Sequence, residues 1–432
     1  MMATDPEIPL FNLVTCISKA LDLVSPVLVN HHYRVAYIAH HLGVASGLET
    51  TQLHDLAVAG ALHDVGALSL REKLKIMVFE MEKPHHHAIK GYLLLNMFAP
   101  FAQIASFVQF HHVPWERGQG SEFSGRPVPL ESHILHLADR IAVLLGNQTE
   151  VLGQAKQIRE AIIGRSGQMF VPRLVDAFLN FADKEYFWLE ATSSSLNSVL
   201  AEKLGMEGIQ LDVEMLLSFS KMICRVIDFR SPFTATHSSG VAATAAELAR
   251  LSGFSERDCR LIRIAGYLHD LGKLAVPAEV LEKPAKLTED EFNVVRSHTF
   301  HTFRILETLP GMELVNGWAS LHHERLNGHG YPFHFAGRDL SLGSRIIAVA
   351  DVFTAITEDR PYRAGMNSGR ALQVLQQMAD DQALDGQIVS RLSRHFADIN
   401  SLRIAAQTDC MEEYRQFGET AQSFSDLLRE KK

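Results

Sequence analysis

A set of histidine and aspartate residues recurs in the two halves of this 432-residue chain, in the same order and with matched spacings. In each half one histidine precedes a His-Asp pair by 32 residues, and a later histidine precedes a double histidine by 24 residues. An aspartate in an apolar segment follows each double histidine. The first set is His31, His63, Asp64, His87, His111, His112 and Asp139, and the second is His237, His269, Asp270, His298, His322, His323 and Asp351. Two copies of one domain explain this pattern economically.

The apolar residues predict helices, because they recur at steps of three and four. One such run is Leu216, Phe219, Ile223 and Val226. Thr288 and Glu291 form a capping box, and Ser255 with Asp258 resembles one. No convincing run of alternating strand residues is present, so we expect an all-α protein.

The repeat and the helical periodicity together predict two tandem helical domains. The serine-rich segment 192–195, followed by Gly205, is the best candidate for the join. The expected division is therefore 1–205 and 206–432. The apolar stripe of 211–228 is of the kind that forms a homodimer seam, but packing within the chain is the preferred interpretation.

Composition and charge exclude several classes of function. The formal net charge of −9 argues against broad binding to DNA or RNA, which depends on clustered Lys and Arg. The four cysteines are scattered and form no CxxC pair, so neither a disulfide framework nor a thiolate metal site is indicated. No segment approaches about 18 uninterrupted apolar residues, and the N-terminus lacks a signal-peptide pattern. We expect a cytoplasmic protein that does not span a membrane.

The second set of residues predicts a centre of two metal ions. Imidazole and carboxylate ligands without thiolate suit Mn, Fe or Zn. Asp270 can bridge the two ions through its two carboxylate oxygens. The remaining ligands are expected to divide into His237, His269 and Asp351 on one ion and His298, His322 and His323 on the other. Two ions about 3.5–4 Å apart can bind a bridging hydroxide and orient a phosphodiester for hydrolysis.

Asp351 is the strongest single ligand candidate, since it lies within the apolar run 346–353. An unpaired carboxylate in a buried helix costs several kcal/mol, so it needs a cation or a hydrogen-bonding partner. Any one histidine or aspartate of the set, taken alone, is better interpreted as a hydrogen-bonded core residue or a helix cap. The ordered set favours metal, because independent structural histidines have no reason to recur at matched spacings.

Residues 215–390 resemble the HD-GYP family of cyclic-dinucleotide phosphodiesterases, a subclass of the HD phosphohydrolases. The matching motifs are HDLGK at 269–273, HHERLNGHGYP at 322–332, and Asp351 followed by DRPYR at 359–363. The resemblance implies a helical fold and a di-iron or di-manganese centre. It also implies hydrolysis of cyclic di-GMP or 3',3'-cyclic GMP-AMP to the linear dinucleotide, with mononucleotide as a further product.

By position, the resemblance assigns Lys273 to a phosphate near the metals, and Arg360 and Arg363 to substrate phosphate or guanine. A net acidic protein needs such local cations for an anionic substrate, and Arg offers a planar fork where Lys offers a point charge. A surface ion pair with a neighbouring carboxylate is an equally good interpretation of either arginine alone. Asp270 and Lys273 are the expected catalytic residues.

The chain departs from the family pattern at three positions. Asn327 replaces the usual Asp and Thr302 the usual Gly, and neither is an expected ligand. Phe233 stands where members with a third metal carry Glu, so two metals and a linear dinucleotide product are expected. Tyr331 and Pro332 are expected to shape the GYP loop, where the family suggests that a protein partner docks.

The first set keeps every ligand type, so 1–205 resembles a diverged HD domain that could hold metal. It lacks the phosphate-binding groups: Ala67 occupies the position of Lys273, a different loop at 113–120 replaces the GYP loop, and no DRPYR follows Asp139. We therefore favour a regulatory or structural role over a second hydrolase. Two alternatives remain for the whole protein, an HD-type nucleotide phosphohydrolase and a cyclic-dinucleotide receptor without turnover.

Overall fold

The computed structural model describes residues 8–22, 29–79, 85–146, 150–204, 210–231, 234–281, 283, 285–359 and 364–429. The chain divides into two compact units. The first unit contains residues 9–210 together with the chain from Glu419 onward, and the second contains Leu211–Gly418. The expected join near Gly205 falls within 205–209, which lies outside the described residues.

The first unit is built from helices joined by short loops. Its helices are α1 (Leu10–Asp22), α2 (His31–Ala45), α3 (Thr50–Leu62), α4 (Leu70–Ile76), α5 (His85–Leu95), α6 (Ala102–Gln109), α7 (Leu130–Leu144), α8 (Val151–Ile163), α9 (Pro172–Ala182), α10 (Glu185–Ala191) and α11 (Leu196–Leu204). Strands within the described residues are two residues long: β1 (Ile8–Pro9), β2 (Glu122–Phe123), β3 (Arg126–Pro127) and β4 (Gln210–Leu211). β2 and β3 pair as an antiparallel hairpin, with Glu122 opposite Pro127.

The second unit is also helical. Its helices are α12 (Val213–Asp228), α13 (His237–Leu251), α14 (Glu256–Leu268), α15 (Ala278–Leu281), α16 (Glu289–Leu306), α17 (Glu313–Ser320), α18 (Leu342–Thr357), α19 (Ser368–Asp380), α20 (Gly386–Arg394) and α21 (Phe396–Arg429), of which the part up to Gly418 belongs to this unit. A 3-10 helix, Leu271–Ala275, follows the His-Asp pair. In the described residues, no helix is both long and apolar enough to cross a membrane.

The packing of helices repeats between the units. In the first unit α2 packs on α3 and α7, and α5 packs on α6. In the second unit α13 packs on α14 and α18, and α16 packs on α17. Each unit therefore places the helix of the first histidine against the helices that carry the His-Asp pair and the last aspartate. The prediction of an all-α protein with two tandem, similarly built domains is confirmed.

Helix ends agree with the sequence signals. Thr288 Oγ1 accepts the Glu291 N–H at 3.2 Å, and Glu291 Oε2 accepts the Thr288 N–H at 2.7 Å. Ser255 Oγ accepts the Asp258 N–H at 3.1 Å and donates to Asp258 Oδ2 at 2.8 Å. Such caps contribute about 1 kcal/mol each. The apolar stripe of 211–228 is largely buried, and α12 packs on α14 within its own unit.

A glycine in each unit lets the His-Asp segment approach the next histidine helix. A Cβ atom at Gly272 would lie 1.9 Å from the carbonyl oxygen of His298, and one at Gly66 would lie 2.1 Å from that of His87. Side chains do not tolerate such contacts with backbone, so only glycine fits. This close approach lays the Asp270 segment directly against α16.

Gly272→Ala is expected to lower the free energy of unfolding by about 1–3 kcal/mol, because the added methyl group must displace the backbone of α16. The control is Gly317→Ala in α17, where nothing lies within 4 Å of the new Cβ. That variant is expected to be neutral or to gain up to about 1 kcal/mol from helix propensity. Denaturant titrations measure both, and equal stability of the two variants would contradict the packing argument.

Candidate metal centres

The second unit gathers its seven predicted ligands from five segments of the fold. They are His237 at the start of α13, His269 and Asp270 after α14, His298 within α16, His322 and His323 after α17, and Asp351 within α18. Two groups of three residues each offer ligand atoms within 4.8 Å of one another: His237, His269 and Asp270, and His298, His322 and His323. The structure thus brings together all the residues that the spacing singled out.

Asp270 lies between the two groups. Its Oδ2 atom is 3.2 Å from His269 Nε2, and its Oδ1 atom is 3.4 Å from His298 Nε2. Lys273 Nζ donates to Oδ2 at 2.6 Å. Because the two carboxylate oxygens face different histidines, this carboxylate has the placement that bridging two ions requires.

Asp351 also contacts both sides of the cluster. Its Oδ1 atom is 3.0 Å from His237 Nε2, and its Oδ2 atom is 3.8 Å from His323 Nδ1. The carboxylate is buried, although it lies in an apolar helix. The cation or hydrogen-bonding partner that the sequence demanded is supplied by these imidazoles and by any ion that they hold.

Backbone carbonyls orient three of the histidines. Nδ1 of His269, His298 and His322 lies 2.8, 2.6 and 2.6 Å from the oxygens of Gly266, Val295 and Ala319. A proton on Nδ1 is donated to the carbonyl, which leaves the Nε2 lone pair directed into the cluster. Metal-binding histidines are held by this kind of hydrogen bond.

The pKa shifts of His298, His322 and Asp270 suit metal ligands. Burial lowers the pKa of His298 to about 3 and lowers the pKa of His322 well below its ordinary value. Burial would raise the pKa of Asp270, but the charges of His269 and Lys273 outweigh it, so this pKa lies well below its ordinary value. Neutral imidazoles and ionised carboxylates are the forms that bind metal ions. Burial would lower the pKa of His237 and His269 as well, but neighbouring carboxylates outweigh it and raise the pKa of His237 to about 10 and that of His269 above its ordinary value, so these two must lose a proton when an ion binds.

One side of this cluster is accessible to solvent. The side chain of His323 is 32% exposed and that of Lys273 is 18% exposed. The Tyr331 ring lies against His323 with 4.9 Å between ring centres, and the Arg296 guanidinium lies 4.9 Å from the centre of the Tyr331 ring. A substrate that reaches the cluster from this side meets the cations of Lys273 and Arg296.

The seven residues of the first unit converge in the same way. Their ligand atoms form two groups that share Asp64: His31, His63 and Asp64, and Asp64, His87, His111 and His112. Asp64 Oδ2 is 3.0 Å from His63 Nε2, and Asp64 Oδ1 is 3.2 Å from His87 Nε2. Asp139 Oδ1 lies 3.4 Å from His31 Nε2. The arrangement parallels the one around Asp270.

Although their imidazoles and carboxylates lie close together, several buried ligand atoms of this first cluster have no partner with hydrogen-bond geometry among the described residues. They are His31 Nε2, His63 Nε2, Asp64 Oδ1, His111 Nε2 and Asp139 Oδ1. An unsatisfied buried polar atom costs about 1–3 kcal/mol. Since these atoms surround one place and are donors of electron pairs to a cation, the residues of the first unit fit a metal ion as well.

The first cluster is closed where the second is open. Arg140 Nη2 pairs with Asp139 Oδ2 at 2.5 Å, and Arg140 Nη1 donates to the carbonyl of Val78 at 2.5 Å. The side chains of Arg140 and Asp64 are 1% and 4% exposed. The guanidinium of Arg140 therefore occupies one carboxylate oxygen of Asp139.

A family profile for the HD domain matches residues 28–144, and a second HD-domain profile matches residues 221–388. The 3'3'-cGAMP-specific phosphodiesterase 1 of Vibrio cholerae is 31% identical over 406 residues, covering 90% of this chain and 92% of that protein. The chain belongs to the HD-GYP family of phosphodiesterases. This family is metal-dependent, in agreement with the two clusters.

Two further relatives of this HD-GYP protein differ in how much of it they match. A cyclic di-GMP phosphodiesterase of Pseudomonas aeruginosa is 43% identical over 142 residues, which are 33% of this chain and 34% of that protein. A crystal structure of a cyclic GMP-AMP specific phosphodiesterase of V. cholerae covers 91% of this chain and 98% of that chain, with 23% identity and a TM-score of 0.62. The latter likeness supports the two-domain helical fold.

Two departures of this HD-GYP protein from the family pattern have local structural roles. Thr302 Oγ1 accepts the Gly272 N–H at 2.9 Å and donates to the carbonyl of His269 at 3.1 Å, so it joins the His-Asp turn to α16. Asn327 Oδ1 accepts the His329 N–H at 3.0 Å within the GYP loop. The third departure, Phe233, and the predicted substrate arginines, Arg360 and Arg363, lie outside the described residues.

The sequence analysis missed a carboxylate that shapes the GYP loop. Glu324 is buried and accepts three backbone N–H groups, from Phe333 at 2.7 Å, His334 at 3.1 Å and Phe335 at 3.1 Å. Glu324 follows the double histidine directly, but a charged residue is ordinarily expected at the surface, so the sequence did not predict its burial. Arg296 was missed for a similar reason, since nothing in the sequence separates it from other helix arginines.

Glu324→Gln is expected to loosen the loop, because hydrogen bonds to a charged group contribute about 1.5–3 kcal/mol and those to a neutral one about 0.5–1.5 kcal/mol. Hydrogen exchange of the amides at 333–335 should accelerate by about fivefold or more. Glu313→Gln is the control, since Glu313 accepts one exposed N–H, from Gly311 at 3.1 Å. Unchanged protection of 333–335 in Glu324→Gln would contradict this role.

Proposed function

We propose that this HD-GYP protein hydrolyses a cyclic dinucleotide at the centre in its second unit, with 3',3'-cyclic GMP-AMP preferred over cyclic di-GMP. The observation that carries the proposal is the Asp270 carboxylate, whose two oxygens face separate groups of histidines. The substrate preference is supported by the relatives. Two relatives named for 3'3'-cGAMP match 90% and 87% of the chain, whereas two named for cyclic di-GMP match 33% and 40% of it.

The metal centre of this proposal consists of two divalent ions, iron or manganese. The residues that would hold them are His237, His269, Asp270 and Asp351 on one side and His298, His322 and His323 on the other, with Asp270 shared. Imidazole and carboxylate donors without thiolate suit these ions. When bound, they supply Lewis-acid activation of water and neutralise charge that develops at the phosphorus.

The residues beside the cluster bind and orient the substrate. Lys273 uses one N–H on Asp270 and has two more donors for a phosphate oxygen. The Arg296 guanidinium carbon lies 4.9 Å from the centre of the Tyr331 ring, and its planar fork of N–H groups is a candidate donor to an anionic substrate. Arg360 and Arg363 stay predicted substrate contacts, and docking of a protein partner at the GYP loop stays a prediction.

Wild-type protein loaded anaerobically with Mn²⁺ or Fe²⁺ is expected to convert 3',3'-cyclic GMP-AMP to the linear dinucleotide, with lower kcat/KM for cyclic di-GMP. Asp270→Asn should reduce turnover by a factor of about 10²–10⁴, because the shared anion is lost. Asp290→Asn, at an exposed position of the first turn of α16, is the control. Chromatography of products measures both.

Two outcomes of that experiment would contradict the proposal. Wild-type protein that binds metal and cyclic dinucleotide but forms no product is a receptor. Faster release of phosphate from nucleoside phosphates than cleavage of any cyclic dinucleotide identifies a nucleotide phosphohydrolase of the HD type.

We propose a structural metal site, rather than a second hydrolase, for the cluster of the first unit. Structural metal sites are closed, whereas catalytic ones keep a position for water and substrate. Arg140 already pairs with Asp139, and the position that Lys273 occupies in the second unit holds the buried Ala67. Among the residues that the structure describes around this cluster, neither an opening to solvent nor a cation in the place of Lys273 is present for a phosphodiester.

His63→Ala combined with Asp64→Ala is expected to remove about one or two bound ions per chain and to lower thermal stability, because metal binding to the folded state contributes folding free energy. Turnover of the remaining folded protein at low temperature should stay within about twofold of wild type. Elemental analysis and thermal unfolding measure the first two effects. Unchanged metal content would contradict a site in the first unit, and complete loss of turnover in folded protein would contradict a purely structural role.

A further inference from the structure

His237 is held differently from the other histidines of the second unit. Its Nδ1 atom lies 3.2 Å from both Oε1 and Oε2 of Glu358, whereas Nδ1 of His269, His298 and His322 lies against a backbone carbonyl. Its Nε2 atom faces Asp351 Oδ1 at 3.0 Å. The imidazole therefore connects a candidate ligand carboxylate at one nitrogen with a second carboxylate at the other.

Glu358 is itself fixed in place. It is 5% exposed, and its backbone N–H donates to Thr354 at 3.0 Å at the end of α18. Gln407 of α21 donates from Nε2 to Glu358 Oε2 at 3.0 Å. Gln407 in turn accepts a hydrogen bond from Arg403 through its Oε1 atom. A chain of hydrogen bonds thus orients the Glu358 carboxylate toward His237.

The first unit lacks this carboxylate. Glu358 follows Asp351 by seven residues, and the residue seven positions after Asp139 is Gly146. Within the described part of the chain, the buried Nδ1 atom of the corresponding histidine, His31, has no hydrogen-bond partner. The acidic partner of the first histidine is therefore particular to the second unit and is not a general requirement of the fold.

We infer that Glu358 is a positioning residue that accepts the Nδ1–H of His237 and thereby strengthens metal binding through Nε2. This inference rests on the proposed metal centre. A carboxylate fixes the tautomer and ring orientation of a metal-binding histidine and makes its other nitrogen more basic. Glu358 contacts Nδ1 of His237, whereas Asp351 faces Nε2, and Glu358 accepts a hydrogen bond from Gln407. It therefore acts through His237 and is not itself a ligand.

The test compares binding of Mn²⁺ alone, followed by the electron paramagnetic resonance signal of the free ion. Glu358→Gln keeps the shape and an oxygen acceptor, Glu358→Ala removes the acceptor, and Gln407→Leu removes only the donor to Glu358. Glu412→Gln, at an exposed position of the same helix α21, is the matched control. Each variant is measured in the wild-type background and with Asp64→Ala, which disables the first cluster.

The expected result is a loss of Mn²⁺ affinity of about 10-fold for Glu358→Gln and up to about 100-fold for Glu358→Ala. Gln407→Leu should lose less, and Glu412→Gln nothing. At saturating Mn²⁺, kcat of Glu358→Gln should return to within a few-fold of wild type, because the residue acts on metal binding. Circular dichroism melting of each variant separates these effects from misfolding.

Three results would overturn the inference. The first is unchanged Mn²⁺ affinity in folded Glu358→Gln and Glu358→Ala. The second is a centre of three ions that falls to two in Glu358→Gln, which makes Glu358 a ligand. The third is wild-type protein that binds no Mn²⁺ and has no turnover, which also rejects the proposed function. If the wild type has normal turnover and metal content but the Glu358 variants bind Mn²⁺ as tightly as the wild type, only the role of Glu358 is rejected and the proposed function stands.

Discussion

The ionised carboxylate of Asp270 is the group on which the rest of the second unit depends. A charge removed from water costs several kcal/mol unless cations or hydrogen-bond donors surround it. Here Lys273 donates to Asp270 Oδ2 at 2.6 Å, and the Nε2 atoms of His269 and His298 lie within 3.4 Å of the carboxylate, where they would hold a metal ion beside it. This arrangement is possible because Gly272 allows the segment after α14 to lie directly on α16. The helix packing and the candidate site are therefore consequences of the same close approach.

The two units show how one scaffold can serve different chemistry. Each places a shared aspartate between two groups of histidines. In the first unit Arg140 satisfies an oxygen of the last aspartate and the cluster is buried, so its charges are compensated by the chain and by any bound ion. In the second unit Val352 takes the position of Arg140, and the cations of Lys273 and Arg296 lie where solvent reaches the cluster. In the second unit Lys273 and Arg296 lie where they can contact a ligand, whereas in the first unit Arg140 pairs with a carboxylate of the chain itself.

The sequence predicted which histidines and aspartates lie together better than it predicted the groups around them, and the reason is physical. The interval between ligand residues reflects the lengths of packed helices, so a repeated interval identifies a repeated structure. A helix cap such as Thr288 depends on a residue only three positions away, so the sequence predicts it directly, and this prediction was confirmed. Glu324 and Glu358 carry no such local signal. Glu358 contacts His237, which is 121 residues away in the sequence, and Gln407, which is 49 residues away. Tertiary packing of this kind decides whether an acidic residue is buried.

The hydrogen bonds behind the ligands make the two sides of the second centre unequal. His298 and His322, on one side, donate from Nδ1 to neutral carbonyls. On the other side His237 donates to a carboxylate. An imidazole that shares its proton with an anion is the stronger electron-pair donor, so the ion held by His237 is expected to be the more tightly bound and the less Lewis-acidic of the two. An ion on the opposite side, near the exposed His323, would carry more of the charge that a phosphate oxygen meets, in agreement with the side of the cluster that solvent reaches.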